Sequence, residues 1–268
     1  MAISRSLISR CLVAIGVISM LAMTPGADLQ GAAMDSASPV LVELFTSEGC
    51  SSCPPADAML QQFDRTQPVH GAQLIVLSEH VDYWNSLGWK DPYSSAFFSD
   101  RQGAYARQFG LASSYTPQMV VDGTAEFVGN DSGRADRAIE KSLSAPKIPI
   151  FISSVSRDSA GELHAHVDAG PLPDSLRARK AGLYLAAALD HAESQVARGE
   201  NQGRRLTHVA VVLSLVQVGT VEKGKNFSQD VSLKSNAAVD LSNLRVIAFV
   251  QEPGPGRVLG AALQHVGK

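Results

Sequence analysis

The sequence predicts an α/β half followed by an all-β half. Three observations carry this expectation. Apolar runs of strand length alternate with helical periodicity in the first part of the chain; Ala145-Pro146-Lys147-Ile148-Pro149 then breaks the pattern; beyond it, strand-like segments follow one another with little helical periodicity. The expected organisation is a removable leader over residues 1–33, an α/β domain over 34–146 and a β-sandwich of Greek-key type over 147–268.

The leader rests on Arg5 and Arg10, which precede an apolar run from Cys11 to Met23. That run is short for a bilayer span but has the length of a signal-peptide core. Gly31-Ala32-Ala33 or Pro25-Gly26-Ala27 supplies small residues for cleavage. A signal peptide predicts a periplasmic or secreted protein with no membrane anchor once it is removed.

Val40–Phe45 reads as a buried strand, and Cys53–Phe63 as a helix with Pro54 and Pro55 in its first turn, where proline is tolerated. Gln73–Ser78 reads as a second buried strand, so the three segments make a βαβ unit with parallel pairing. Residues 79–96 form a loop that carries Tyr83, Trp84, Trp89 and Tyr93. A helix follows over Ser99–Phe109. Tyr115–Gly123 is a strand ending in the hairpin signal Asp122-Gly123, Ala125–Val128 is its return strand, and Asp131–Leu143 is a helix. In the second half the expected strands are Ile150–Ser156, Glu162–Ala169, Gly182–Asp190, Leu206–Val218, Phe227–Leu233, Leu244–Gln251 and Arg257–Gln264.

The 268 residues are 45% apolar and 18% charged with a net charge of −3, which leaves no basic excess for nucleic acid. Only three cysteines occur. Cys11 belongs to the leader, so Cys50 and Cys53 are the pair left in a mature chain. They form a C-x-x-C at a strand-to-helix turn. There the positive end of the helix and its free N–H groups favour a thiolate on Cys50, and Cys53 is close enough to resolve a mixed disulfide. The chemistry this points to is thiol–disulfide exchange with protein or small-molecule thiols and disulfides, and it calls for no cofactor. A locally closed structural disulfide is the plainer alternative.

The order strand, C-x-x-C helix, strand, helix, strand opening on Thr116-Pro117, hairpin strand, helix resembles the thioredoxin fold over roughly residues 39–145. The resemblance implies an α/β thioredoxin-like N-terminal domain, with an all-β (β-sandwich) C-terminal domain behind it. It implies a cis bond before Pro117, which would expose the backbone of Thr116 to substrate beside the sulfurs. It also suggests that Glu43, a charge inside an apolar strand, relays the proton of Cys53. Over its whole length the chain resembles a bacterial family of exported proteins of unassigned function. That match lies in Leu44–Pro55, Tyr115-Thr116-Pro117-Gln118 and Gly199-Glu200-Asn201-Gln202-Gly203-Arg204, and it imports no activity.

The catalytic set expected from the sequence is thus Cys50, Cys53, Pro117 and Glu43. Thr116, Trp84 and Trp89 are candidates for substrate binding, although aromatics in a long loop also serve simply to pack it down. Two other functions stay open. One is copper handling by Cys50, Cys53 and His80, since soft sulfur and imidazole suit that metal. The other is a non-enzymatic binding module on the same scaffold. His164 and His166 share one strand face and form a further metal candidate. Residues 200–205 read as a polar turn that could serve as an interdomain or binding contact.

Overall fold

The computed structural model describes residues 37–234 and 238–267, and the expected signal peptide at 1–33 lies outside them. Strand β1 (Ser38–Thr46) leads through the C-x-x-C turn into helix α1 (Pro54–Thr66), and β2 (Ala72–His80) returns parallel to β1. After a 3-10 turn at Asn85–Leu87 come α2 (Ala96–Phe109), the hairpin β3 (Gln118–Val121) and β4 (Ala125–Val128), and α3 (Ser132–Leu143). The second half supplies β5 (Ile150–Arg157), β6 (Glu162–Ala169), β7 (Lys180–Gln195), β8 (Arg205–Glu222), β9 (Phe227–Lys234), β10 (Leu244–Gln251) and β11 (Val258–His265).

These strands form two sheets, and the larger one overturns the expected fold class. Its eight strands run in the order β11-β10-β7-β8-β2-β1-β3-β4, joining strands from both halves of the chain; β5-β6-β9 form the second sheet. A self-contained α/β thioredoxin-like domain with a separate β-sandwich behind it is therefore not what forms. The physical reason lies in β7 and β8. At 16 and 18 residues they outrun the 182–190 and 206–218 segments expected from the sequence. One part of β7 pairs with β10, while β8 comes alongside β2 in parallel at Ser78 and Val211. The outer edge of β2 is thereby covered rather than left open.

Strand alternation divides the core. Val40, Val42 and Leu44 of β1 pack with Ala56, Leu60 and Phe63 of α1 and with Ala135 and Ile139 of α3. Leu41 and Phe45 point the other way, toward Phe98 and Tyr105 of α2 and toward Ala186, Ile247 and Phe249. A third cluster fills the space between the two sheets, with Leu183, Leu185, Val246 and Ala248 facing Leu163, Val167 and Val231. Buried on both faces, β1 has to be apolar throughout, and Glu43 is the exception that needs a partner.

Polar contacts tie the halves together. Arg245 of β10 donates to Asp64 at 2.7 Å and to Asp190 at 2.5 Å. The Asp122 carboxylate accepts from Leu41 N at 2.9 Å and from Ser142 and Lys147, while Val258 N donates to the Asp122 carbonyl at 2.9 Å. Gly123, at φ +65°, sits so close to Gly256 that a Cβ would lie 2.2 Å from its carbonyl oxygen.

Candidate functional site

Cys50 and Cys53 are joined as a disulfide, with their Cα atoms 5.5 Å apart. Cys53 is the N-cap residue of α1, and Pro54 and Pro55 open the helix. Those prolines have no N–H, and the next two donors, Ala56 N and Asp57 N, both go to the Cys53 carbonyl at 2.9 and 3.1 Å. The expected spare first-turn N–H groups are thus absent, and only the helix dipole remains to favour a thiolate. The Ser52 hydroxyl donates to Cys50 Sγ at 3.3 Å, since a disulfide sulfur has no proton to give. Both cysteines are fully buried, at 0% exposure, beneath exposed Ser51 and Ser52.

The far half of the chain reaches this turn. The tip between β7 and β8 is closed by Val196 N to Arg204 O at 3.0 Å and Gly203 N to Val196 O at 2.9 Å. From it, buried Asn201 donates its amide to the carbonyls of Glu48 and Cys50, both at 2.9 Å. Exposed Glu200 accepts from Ser51 N at 3.1 Å, and hydrogen bonding by the Ser51 side chain and then by its backbone lowers the Glu200 carboxyl pKa. Gly199 lies against Trp89: a Cβ there would stand 3.2 Å from Trp89 Cβ, a tight contact.

A second group of buried polar side chains flanks the C-x-x-C turn. Glu48 precedes Cys50 by two residues, and Asp57 follows Cys53 by one helical turn, on the same helix face. His208 of β8 stands between them, its Nε2 3.6 Å from Glu48 Oε1 and its Nδ1 3.8 Å from Asp57 Oδ2. The His208 ring meets the His80 ring edge-on at 4.7 Å, and His80 Nδ1 is 2.7 Å from Asp91 Oδ2. Thr46 donates to Asp57 at 2.8 Å, Trp89 Nε1 to Glu48 at 2.7 Å and Glu48 N to Asp91 at 2.8 Å. Burial raises the Asp57 carboxyl above its ordinary range. Burial alone would lower the His80 pKa and raise that of Asp91. The His80–Asp91 contact outweighs burial in both, so His80 titrates above its ordinary value and Asp91 below. Glu48 Oε1, His80 Nε2, both His208 nitrogens and Asn201 Oδ1 are buried without a hydrogen-bond partner, a concentration that calls for an explanation.

The remaining expected residues fall as follows. The Thr116–Pro117 bond is cis. Pro117 is near Ala56 of α1, both lying within 3.2 Å of where a Cβ on Gly129 would sit. Trp84 bridges the two sides of the turn: its Cβ lies against Gly49, and its Nε1 donates to Thr116 Oγ1 at 2.8 Å. Trp84 and Trp89 are half-buried, and both spend their N–H groups on site residues.

Glu43 does not join this group, and the relay role expected of it does not fit its position. It points to the α2 face of β1, opposite α1. There its Oε1 accepts from Arg101 at 2.8 and 2.5 Å and its Oε2 from Tyr105 at 2.5 Å. Arg101 also donates to Gln251 at 3.1 Å, and its Nε lies 3.6 Å from Glu79. Burial and then the charge of Glu43 hold the Glu79 carboxyl well above its ordinary pKa. This network joins α2, β1, β2 and β10.

His80, expected as a copper ligand with the two cysteines, is engaged by Asp91 and packed on His208, and the sulfurs are bonded to each other. His164 and His166 do share a face of β6. His164 pairs with Asp158 at 3.1 Å and His166 with Asp230 at 2.7 Å. Among the described residues, Asp158, Glu162 and His164 have converging donor atoms within 4.8 Å, on an open turn where Asp158 already caps Ala160 N and Glu162 N.

Asp57, Asp91 and His208 escaped the sequence reading. His208 alone left a trace, as a polar residue within the near-continuous apolar run of β8.

Fold and site together define a protein with one mixed sheet built from both halves of the chain and a covered C-x-x-C disulfide backed by buried imidazoles and carboxylates. The chain belongs to the DUF1223 family, described as proteins of unknown function, whose pattern spans residues 41–251. Among solved structures, a protein from Agrobacterium tumefaciens is 26% identical, with a TM-score of 0.66 over 87% of this chain and 96% of that one. HBP35 of Porphyromonas gingivalis, at 14% identity, has a similar fold, with a TM-score of 0.64 over 87% of this chain and 76% of that one. No curated protein matches the chain. No helix among the described residues is long and apolar enough to cross a membrane.

Proposed function

We propose that the protein is an exported thiol–disulfide oxidoreductase that cycles Cys50 and Cys53. The observation that carries this reading is the buried set of Glu48, Asp57, His80, Asp91 and His208 beside the disulfide, with its unpartnered atoms. A purely structural clip has no use for such a set, and burying it costs stability. A dithiol couple does have a use for it, because reduction of a disulfide takes up two protons as well as two electrons.

In the proposed reaction a substrate thiolate attacks Cys50 Sγ. The new intermolecular S–S bond forms as the Cys50–Cys53 bond breaks, and the electron pair departs with Cys53 as thiolate. Asp57, its carboxyl raised by burial and one turn along the helix, supplies the proton that Cys53 takes up. His208, between Asp57 and Glu48, reprotonates it. A second substrate thiolate then attacks the substrate sulfur of the mixed disulfide; the bond to Cys50 breaks, and Cys50 leaves as a thiolate that takes its proton from water. The substrate dithiol leaves as a disulfide, and the protein is left as the dithiol; the same steps reversed oxidise the protein. An exported location agrees with a disulfide, which persists in oxidising compartments.

The test is a glutathione redox titration of the mature protein, following the Cys50–Cys53 couple by thiol alkylation. Reversible two-electron cycling in the folded protein is expected. A disulfide that yields only when the protein unfolds overturns the reading.

A further inference from the structure

Both cysteines have no exposed surface, yet thiol exchange requires a sulfur to be approached in line with the S–S bond. The β7–β8 tip is bonded to the C-x-x-C turn. It is held by the two Asn201 hydrogen bonds to the Glu48 and Cys50 carbonyls, by Glu200 at Ser51 N, and by Gly199 against Trp89. We propose that this tip is a built-in occupant of the substrate groove, with Asn201 and Glu200 setting which thiols reach Cys50. The proposal rests on the oxidoreductase reading above.

The kind of substrate follows from what the tip occupies. Lifting it frees two carbonyl acceptors, at Glu48 and Cys50, and one N–H donor, at Ser51, along a single stretch of backbone. An extended polypeptide offers the matching groups, N–H donors and a C=O acceptor, from its own main chain. A cysteine carried in such a segment can replace the bonds of the tip as it displaces it. A small thiol cannot do so and has to wait for spontaneous opening. Asn201 touches the turn rather than the reacting sulfurs, so it is a positioning residue that acts through access.

The experiment measures the rate at which the oxidised, folded mature chain loses its Cys50–Cys53 disulfide, in the wild type and in Asn201→Ala and Glu200→Ala. Two probes are compared at equal thiolate concentration: glutathione, and an extended hexapeptide with one central cysteine. Asn201→Ala removes two buried hydrogen bonds from the closed state and is expected to speed reduction by glutathione by roughly 30-fold. Glu200→Ala removes one exposed bond and is expected to give about 3-fold, on a surface residue whose loss leaves the fold intact. The wild type is expected to react faster with the peptide than with glutathione, and Asn201→Ala to narrow that ratio. Equal glutathione rates in the wild type and both variants, with the disulfide reducible in all, overturn the gate and leave the oxidoreductase reading standing. A faster variant with no peptide preference in the wild type overturns the polypeptide assignment. A disulfide that no probe reduces in any folded form overturns the oxidoreductase reading itself.

Discussion

Replacing Glu43 by Gln removes the carboxylate that neutralises Arg101 inside the sheet–α2 interface. The guanidinium loses the charge of the one oxygen it holds at 2.8 and 2.5 Å, and the amide leaves a single acceptor for Arg101 and the Tyr105 hydroxyl, which reaches Oε2 at 2.5 Å. Breaking one side of a buried ion pair costs about 3–5 kcal/mol, because the remaining charge stays desolvated. Glu79, 3.6 Å from Arg101 Nε, takes up part of the lost role once the charge of Glu43 no longer opposes its ionisation. The expected loss therefore falls at the low end, about 3 kcal/mol. For a folded unit of this size that corresponds to a fall in Tm of about 6–12 °C. Urea and thermal unfolding of the oxidised protein measure it directly. Adding Arg101→Met to Glu43→Gln is expected to recover part of the loss, since the pair then disappears as a pair. A loss below about 1 kcal/mol would refute the reasoning, that being the worth of an exposed pair. So would a Glu43→Gln variant of unchanged stability that exchanges thiols more slowly, which would return Glu43 to the relay role its position argues against.

Three other outcomes follow from the geometry. His80 is expected to titrate by NMR above its ordinary 6.5, and Asp91→Asn to bring it down. A raised histidine contributes stability that is full below pH 6.5 and is lost as pH rises through its folded value. The lowered Asp91 contributes stability that is full above pH 3.8 and is lost as pH falls through its own. The stability gap between wild type and Asp91→Asn should therefore be widest between those limits; a gap that grows in alkali contradicts the assignment. Gly123→Ala should cost more than about 3 kcal/mol in urea unfolding, because a Cβ 2.2 Å from the Gly256 carbonyl forces two backbones apart at a positive φ. Cys50→Ser with Cys53→Ser should cost only about 2 kcal/mol, since so short a loop constrains the unfolded chain little. A far larger loss would mark the disulfide as a structural staple.

The elements that local chemistry dictates could be read from the sequence. Val40–Phe45 had to be a buried strand, Pro54-Pro55 had to open a helix, and Asp122-Gly123 had to turn. The Cys50–Cys53 pair stands out because the chain has only one other cysteine, Cys11, in the expected leader. What the sequence concealed is long-range pairing. Nothing in residues 206–212 announces that they lie beside Ser78, and so the shared eight-stranded sheet and the second half's contribution to the site were out of reach. The same pairing explains why His208 and Asn201 meet Glu48 only after folding. Glu43 is legible as a charge in an apolar strand, but the face it takes depends on Arg101 and Tyr105 of α2, 58 and 62 residues further along the chain. The polar turn at 200–205 is legible as a contact, and its partner is the C-x-x-C turn itself.

The most direct test of the central claim is the glutathione redox titration of Cys50 and Cys53 in the folded protein, with circular dichroism recorded at every poise. The account expects a single reversible two-electron transition with the fold retained at both ends, and slower uptake of reducing equivalents in Asp57→Asn. A disulfide that stays closed at every poise until the far-UV signal collapses would contradict it.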